Sequence, residues 1–169
     1  MFAQMIEDWF AEYTPAYNIF IKALLQNDLD AMNEYMNRIA EETFSCFDAG
    51  NRPSERTEPE RFYHGFVLGL MIDLEDRYTI TSNRESGFGR YDIMIESRQP
   101  DADAYIIEFK VFNPRKDRNL EDTVREALAQ IEEKRYEAGL RQSGIPAGHI
   151  RKYGFAFEGK RVLIGSAET

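Results

Sequence analysis

The sequence predicts an α/β domain preceded by a helical extension. Three observations carry that reading: a four-residue apolar rhythm in one segment, a switch to short apolar runs punctuated by turn residues, and a second helical segment followed by two more such runs. With 169 residues, 43% of them hydrophobic and 13% aromatic, the chain has material for one packed core. Charged residues make up 30% and are mixed in sign along most of the chain, which fits a globular protein better than a fibrous or membrane one.

Taken in order, the first fifty residues repeat apolar side chains at helical spacing, first at Trp9, Phe10 and Tyr13, then at Leu29, Met32, Tyr35, Met36 and Ile39. Two or three helices are expected there, with Asp28 capping the second. Gly50, Asn51, Pro53, Ser54 and Pro59 disfavour regular structure over residues 48–59. A helix follows from about residue 58 to about 76, with Phe62, Phe66, Leu70 and Leu74 as its stripe. Pro59 falls in its first turn, where the missing N–H is harmless. Three strands are expected over 78–85, 90–96 and 104–112, joined by Ser86-Gly87-Phe88-Gly89 and by Gln99-Pro100-Asp101. Connections this short suit antiparallel neighbours. Gly87 and Gly89 belong to the hairpin rather than to a phosphate cradle, because no helix N-terminus follows them. A helix over 120–139 shows Val124, Ala127, Leu128 and Ile131 on one side, and strands over 149–157 and 160–164 flank Glu158-Gly159, a tight hairpin. The pattern divides the chain into an acidic helical extension over 1–50, packed on or linking to the rest, and a core over 51–169.

Composition narrows the chemistry. No stretch approaches the roughly 20 apolar residues of a membrane-spanning helix; the run 17–25 is broken by Lys22. The opening residues meet Glu7 and Asp8 early and lack the basic head and apolar body of a secretory signal, so a cytoplasmic location is expected. Cys46, the single cysteine, has no disulfide partner and sits in an apolar helical pattern; with only His64 and His149 beside it, no zinc cluster can be assembled. Any metal is therefore expected to be a hard cation held by oxygen. The net charge of -9 is unusual for a protein that grips phosphates. Its distribution is uneven: residues 1–50 hold 9 acids against 2 bases, residues 51–169 hold 21 against 19.

The run Tyr105-Ile106-Ile107-Glu108-Phe109-Lys110-Val111-Phe112 is apolar on both faces, the mark of a strand buried inside a sheet, and Glu108 and Lys110 interrupt it. Two residues apart, they share one face while Phe109 packs on the other. Burying such a charge alone costs several kcal/mol, so either a mutual ion pair or a metal site must offset it. Asp92, in the strand expected to pair with this one, brings a second carboxylate, and two carboxylates close together call for a proton or a cation between them. A divalent cation bound through oxygen resolves this; spacing alone leaves a salt-bridged sheet surface level with it.

At these residues the chain resembles the PD-(D/E)XK phosphodiesterases, whose signature is an Asp at one strand followed by Glu-x-Lys on the next. The wider text extends the resemblance: Glu60-Arg61-Phe62-Tyr63-His64-Gly65-Phe66 with Gly69-Leu70, Ser82-Asn83-Arg84-Glu85-Ser86-Gly87-Phe88-Gly89-Arg90-Tyr91-Asp92, Ile107-Glu108-Phe109-Lys110, Ala127-Leu128-Ala129-Gln130-Ile131 and Tyr153-Gly154-Phe155-Ala156-Phe157. Over roughly residues 20–165 it looks like the nuclease-superfamily domain found at the C-terminus of a group of prokaryotic AAA-ATPase-like proteins. The resemblance implies a restriction-endonuclease-like αβββαβ core, a mixed central sheet flanked by helices. It also implies roles: Asp92, Glu108 and the backbone carbonyl of Phe109 hold Mg²⁺ or Mn²⁺, Lys110 orients or activates the attacking water, Glu60 assists the metal through water, and Gln130 lines the site. His64, one helical turn after Glu60, is a candidate substrate contact, although one histidine on an apolar helix is also a structural pattern. Arg84 and Tyr136 are further candidates. No Gly-x-x-x-x-Gly-Lys-Ser/Thr run occurs in this polypeptide; in the longer proteins residues 1–50 would join the two parts, a use suited to an acidic helical surface and a protein partner.

Two readings follow from different classes. One is a metal-dependent nuclease acting on nucleic acid, with DNA favoured. The other is a non-catalytic module of the same fold that docks a protein partner or ATPase-like domain through its acidic helices. A two-carboxylate glycosidase is disfavoured because Lys110 on the same face has no place in that scheme. Clustering of Arg84, Arg90, Arg115, Lys116 and Arg118 on one side would favour the nuclease.

Overall fold

The computed structural model describes residues 18–43, 57–82, 85–86, 89–90, 92–99 and 101–167, without the side chains of 43, 57–62, 85–86 and 89–90. The expected helix at Trp9, Phe10 and Tyr13, the environment of Cys46, the break over 48–56, Arg84 and Gly87 lie outside the described residues.

Among the described residues of the first fifty there are two helices. Helix α1, Ile19–Leu25, starts at Asn18, whose side chain accepts the Ile21 N–H at 2.9 Å. It ends where Asn27 turns left-handed (φ 57°), so that the N–H groups of Asn27 and Asp28 reach back to the carbonyls of Leu24 and Ala23. Helix α2, Leu29–Thr43, has the expected cap: Asp28 Oδ1 accepts from the Ala31 N–H at 3.0 Å.

Helix α3, Thr57–Leu70, continues into a 3₁₀ turn, Met71–Leu74. Its buried stripe is Tyr63, Val67, Met71 and Leu74, with Phe66 and Leu70 only half-buried. Of the expected stripe Leu74 is buried and Phe66 and Leu70 are not, the helix burying the residue after each of them instead; the Phe62 side chain is not described.

Strands β1 (Tyr78–Ser82), β4 (Ile93–Ser97), β5 (Ala104–Val111), β6 (Ile150–Glu158) and β7 (Arg161–Ser166) form one sheet in that spatial order. All neighbours are antiparallel except β5 and β6, which run parallel, so the sheet is mixed as expected. Between β1 and β4 the chain forms a separate two-stranded ladder, β2 (Glu85–Ser86) with β3 (Gly89–Arg90). The two long strands read over 78–85 and 90–96 are therefore each divided.

The crossover required by the parallel pair contains α4, Leu120–Glu133, capped by Asn119, whose side chain accepts the Asp122 N–H at 3.0 Å. This helix stops six residues short of the expected 139. Arg135 adopts φ 52°, and the N–H groups of Arg135 and Tyr136 fold back onto the carbonyls of Glu132 and Ile131. That is the left-handed C-terminal motif which glycine usually supplies; with arginine there, the sequence carries no stop signal before Gly139. A short helix α5, Ala138–Gln142, follows.

The sheet separates two cores. On one face Tyr105, Ile107, Phe109, Phe155 and Phe157 pack with Phe20, Leu24, Met32 and Met36 from α1 and α2, and Tyr63 stacks on Phe157 with ring centroids 3.9 Å apart. On the other, Met94, Ala104, Ile106 and Ile150 meet Ile131, Tyr136 and Leu140. The outer edge of β7 is closed by α2. Asn33 accepts from the Ile164 N–H (2.7 Å) and donates to the Ile164 carbonyl (2.9 Å), while Asn37 does the same to Val162 (2.9 and 2.7 Å). Two asparagines one helical turn apart thereby imitate a neighbouring strand and satisfy an edge that would otherwise invite pairing. Among the described residues no helix is long and apolar enough to cross a membrane.

Candidate functional site

Strand β5 sets the site. Its residues alternate between the two cores, so Glu108 follows Ala104 and Ile106 onto the face covered by α4, and Lys110 comes next on that face. Glu108 is 2% exposed, one of two buried polar residues among those described. Lys110 Nζ lies 3.6 Å from Glu108 Oε1 and its side chain is 26% exposed, so the charge at its tip stays within reach of solvent.

Strand β4 brings the second carboxylate. Ile93 pairs with Ile107, and one residue further along the register stands Asp92, level with Glu108. Asp92 stands just ahead of the first residue of β4, and its side chain takes up the backbone donor that a strand carbonyl would have met: Asp92 Oδ2 accepts from the Phe109 N–H at 2.8 Å. A strand residue projects its N–H and C=O to the same edge, so the Phe109 carbonyl is aimed into the opening that Asp92 occupies. Burial raises the Asp92 pKa; the Phe109 N–H, His64 and Lys110 work against that rise. The protein has thus desolvated a carboxylate while surrounding it with groups that favour its charge.

Helix α4 closes the site from above the sheet. Gln130 donates to Glu108 Oε1 and to the Tyr136 hydroxyl, the latter at 3.1 Å. Tyr136 is 1% exposed. Burial pushes its phenol pKa up against the hydrogen bond from Gln130, and the negative charges of Glu108 and Asp92 add to the rise. Two glycines let α4 approach this closely. Gly154 stands opposite Glu108 on β6, and a Cβ there would sit 2.8 Å from the Val124 carbonyl; one on Gly165 of β7 would sit 2.6 Å from Val124 Cγ1. A lone glycine inside an apolar strand such as Tyr153-Gly154-Phe155 was the available sign of this contact.

His64 approaches from α3. It is half-buried, its ring lies 5.4 Å from that of Phe109, and Nε2 is hydrogen-bonded to Ser82 Oγ at 2.8 Å. Ser82 carries no sequence signal of its own and was missed. The structure therefore brings together Glu108, Lys110, Gln130 and Tyr136 on one face of β5, with Asp92 bound to the Phe109 N–H at its edge, whereas His64 packs on the Phe109 ring, which belongs to the core of the opposite face. Tyr136 is closed off from solvent, which suits it to holding Gln130 rather than meeting a substrate directly. Glu60 belongs to α3, but its side chain is not described, and Arg84 lies outside the described residues.

Among the described residues no three His, Cys, Asp or Glu side chains gather as a metal-holding group. What the site offers is two carboxylates and a backbone carbonyl direction, oxygen donors without nitrogen or sulfur. That set fits a hard divalent ion that keeps several waters, and it does not fit zinc.

Against curated proteins the sequence has no match. A family model described as PD-(D/E)XK nuclease superfamily matches residues 58–167. Its span begins in α3 and takes in every strand and both helices that face the carboxylates, and the mixed five-stranded sheet with flanking helices agrees with the restriction-endonuclease-like fold of that group. The chain belongs to the PD-(D/E)XK nuclease superfamily.

Proposed function

We propose that the protein hydrolyses phosphodiester bonds of nucleic acid, with DNA as the favoured substrate, at a site formed by Asp92, Glu108 and Lys110. The observation that carries this reading is the Asp92 to Phe109 hydrogen bond, which holds one carboxylate beside the strand that bears the other carboxylate and the lysine. Asp92, Glu108 and the Phe109 carbonyl are the residues that would hold Mg²⁺ or Mn²⁺. Such an ion supplies Lewis-acid polarisation of a phosphoryl oxygen and lowers the pKa of water.

The chain's own groups divide the remaining work. Lys110, partly exposed, orients the attacking water and offsets charge that develops on the phosphate. Gln130, backed by Tyr136, fixes the Glu108 carboxylate by donating to the same oxygen that faces Lys110. Glu60 is assigned a water-mediated assisting role. His64, held by Ser82, is a substrate contact, and Arg84 is a further one. Exposed Asp30, Glu34, Glu41 and Glu42 on α2 form an acidic outer surface to which a protein partner, including an ATPase-like domain, would dock.

A cleavage assay with supercoiled plasmid and labelled oligonucleotides tests the proposal. Intact protein with Mn²⁺ should cut, with EDTA it should not, and Lys110→Ala should lose the activity. Equal, background-level cutting by the intact protein and Lys110→Ala would leave the non-catalytic docking module as the better reading.

A further inference from the structure

We propose that the loop over residues 113–119 is a clamp for the phosphate backbone of the nucleic acid beside the cut. This rests on the nuclease reading above. The loop leaves β5 directly after the site: Phe112 still pairs with β6 through its N–H to the Phe157 carbonyl (2.8 Å), and Lys110 is two residues before it. It therefore stands at the same end of the sheet as Lys110.

Within this loop the charges are sorted. The loop's one acid turns inward onto local donors: Asp117 Oδ2 accepts from the Asn113 N–H (2.8 Å) and from the buried Thr123 hydroxyl (3.0 Å), while Asp122 in the first turn of α4 accepts from the Arg118 N–H (3.0 Å). Asn113 in turn accepts from the Arg115 N–H at 3.1 Å, and its carbonyl takes the N–H groups of Lys116 and Asp117. The bases turn outward. Arg115, Lys116 and Arg118 are exposed, and no described carboxylate lies within ion-pair distance of any of them.

Three exposed cations on a braced loop, none of them in a close ion pair although the charge of Asp122 reaches Arg118, are a marked local departure in a chain of net charge -9. Bases held this way meet a polyanion with little ordering cost, because the backbone that carries them is already fixed. Arg115 is five residues from Lys110, so its Cα lies within roughly 18 Å at full extension. That corresponds to about five nucleotide steps along one strand at 3.4 Å each. The contacts are to phosphates, because side chains on a loop beside the cut that bind by charge alone carry no base information.

The test is fluorescence anisotropy with two labelled DNA duplexes of unrelated sequence, titrated across salt concentrations in EDTA. It compares intact protein with the variant Arg115→Gln/Lys116→Gln/Arg118→Gln. The variant should melt at the same temperature, bind both duplexes more weakly, and show a salt slope shallower by about one per base removed. An unchanged slope, or weakening on one sequence only, overturns the clamp. Cleavage by intact protein alongside an unchanged slope removes the clamp and leaves the site. A reduced slope in a protein that never cuts keeps the clamp and removes catalysis, while intact protein that neither binds nor cuts overturns both.

Discussion

Glu108→Gln exchanges one buried carboxylate oxygen for an amide nitrogen at constant volume. With Asp92 and Lys110, Glu108 gives the site a net charge of about -1; the variant brings it to about zero, with one fewer ligand oxygen. Glu108 is 2% exposed, so solvent offers its charge little compensation, and a divalent ion would supply what water does not. An ion that binds only the folded state at one hundred times its dissociation constant stabilises it by about 2.7 kcal/mol. For a domain of this size that raises the melting temperature by roughly 5 to 11 °C. Intact protein should show such a shift on exchange of EDTA for saturating Mn²⁺ in a thermal melt, and Glu108→Gln should show none. In EDTA the two should melt within a few degrees of each other, because the amide oxygen still accepts from Gln130. An intact protein indifferent to Mn²⁺, or a variant that keeps the full shift, would refute the metal assignment.

Asp92 gives a pH dependence. Its folded pKa is raised, chiefly by burial, so the folded state binds more protons than the unfolded state between the ordinary carboxylate range and the raised value. Stability of the metal-free protein should therefore fall as pH rises through that window. Asp92→Asn should flatten the trend in urea denaturation; a steeper fall in the variant would contradict it. At the sheet edge, Asn33→Ala with Asn37→Ala removes four hydrogen bonds to β7. The double variant should lose about 2 to 5 kcal/mol of unfolding free energy, and a loss within measurement error would show that the edge is not held by these side chains. Gly154→Ala places a Cβ 2.8 Å from the Val124 carbonyl. It should cost about 1 to 3 kcal/mol and lower cleavage by displacing Gln130 from Glu108, whereas an unperturbed melt would mean that α4 moves freely.

The sequence by itself determined the elements whose signals are local: the order of helices and strands, the cap at Asp28, the buried strand around Glu108, and the Asp92, Glu108 and Lys110 motif. Period-two alternation alone puts Glu108 and Lys110 on one side of β5. It left helix ends open wherever an unusual residue took a glycine's conformation, as Arg135 does at the end of α4. It also put part of the α3 stripe one residue early, at Phe66 and Leu70 where Val67 and Met71 are buried, because apolar side chains stand at both sets of positions. Tertiary structure decided what depends on pairs far apart in the chain. The register of β4 against β5 sets Asp92 level with Glu108, and the start of β4 only at Ile93 leaves the Phe109 N–H to the Asp92 carboxylate. The close approach of α4 over Gly154 delivers Gln130, and two asparagines from the extension complete the edge of β7. Local pattern carries no information on such contacts, because each is fixed by the packing of two elements and not by the propensity of either.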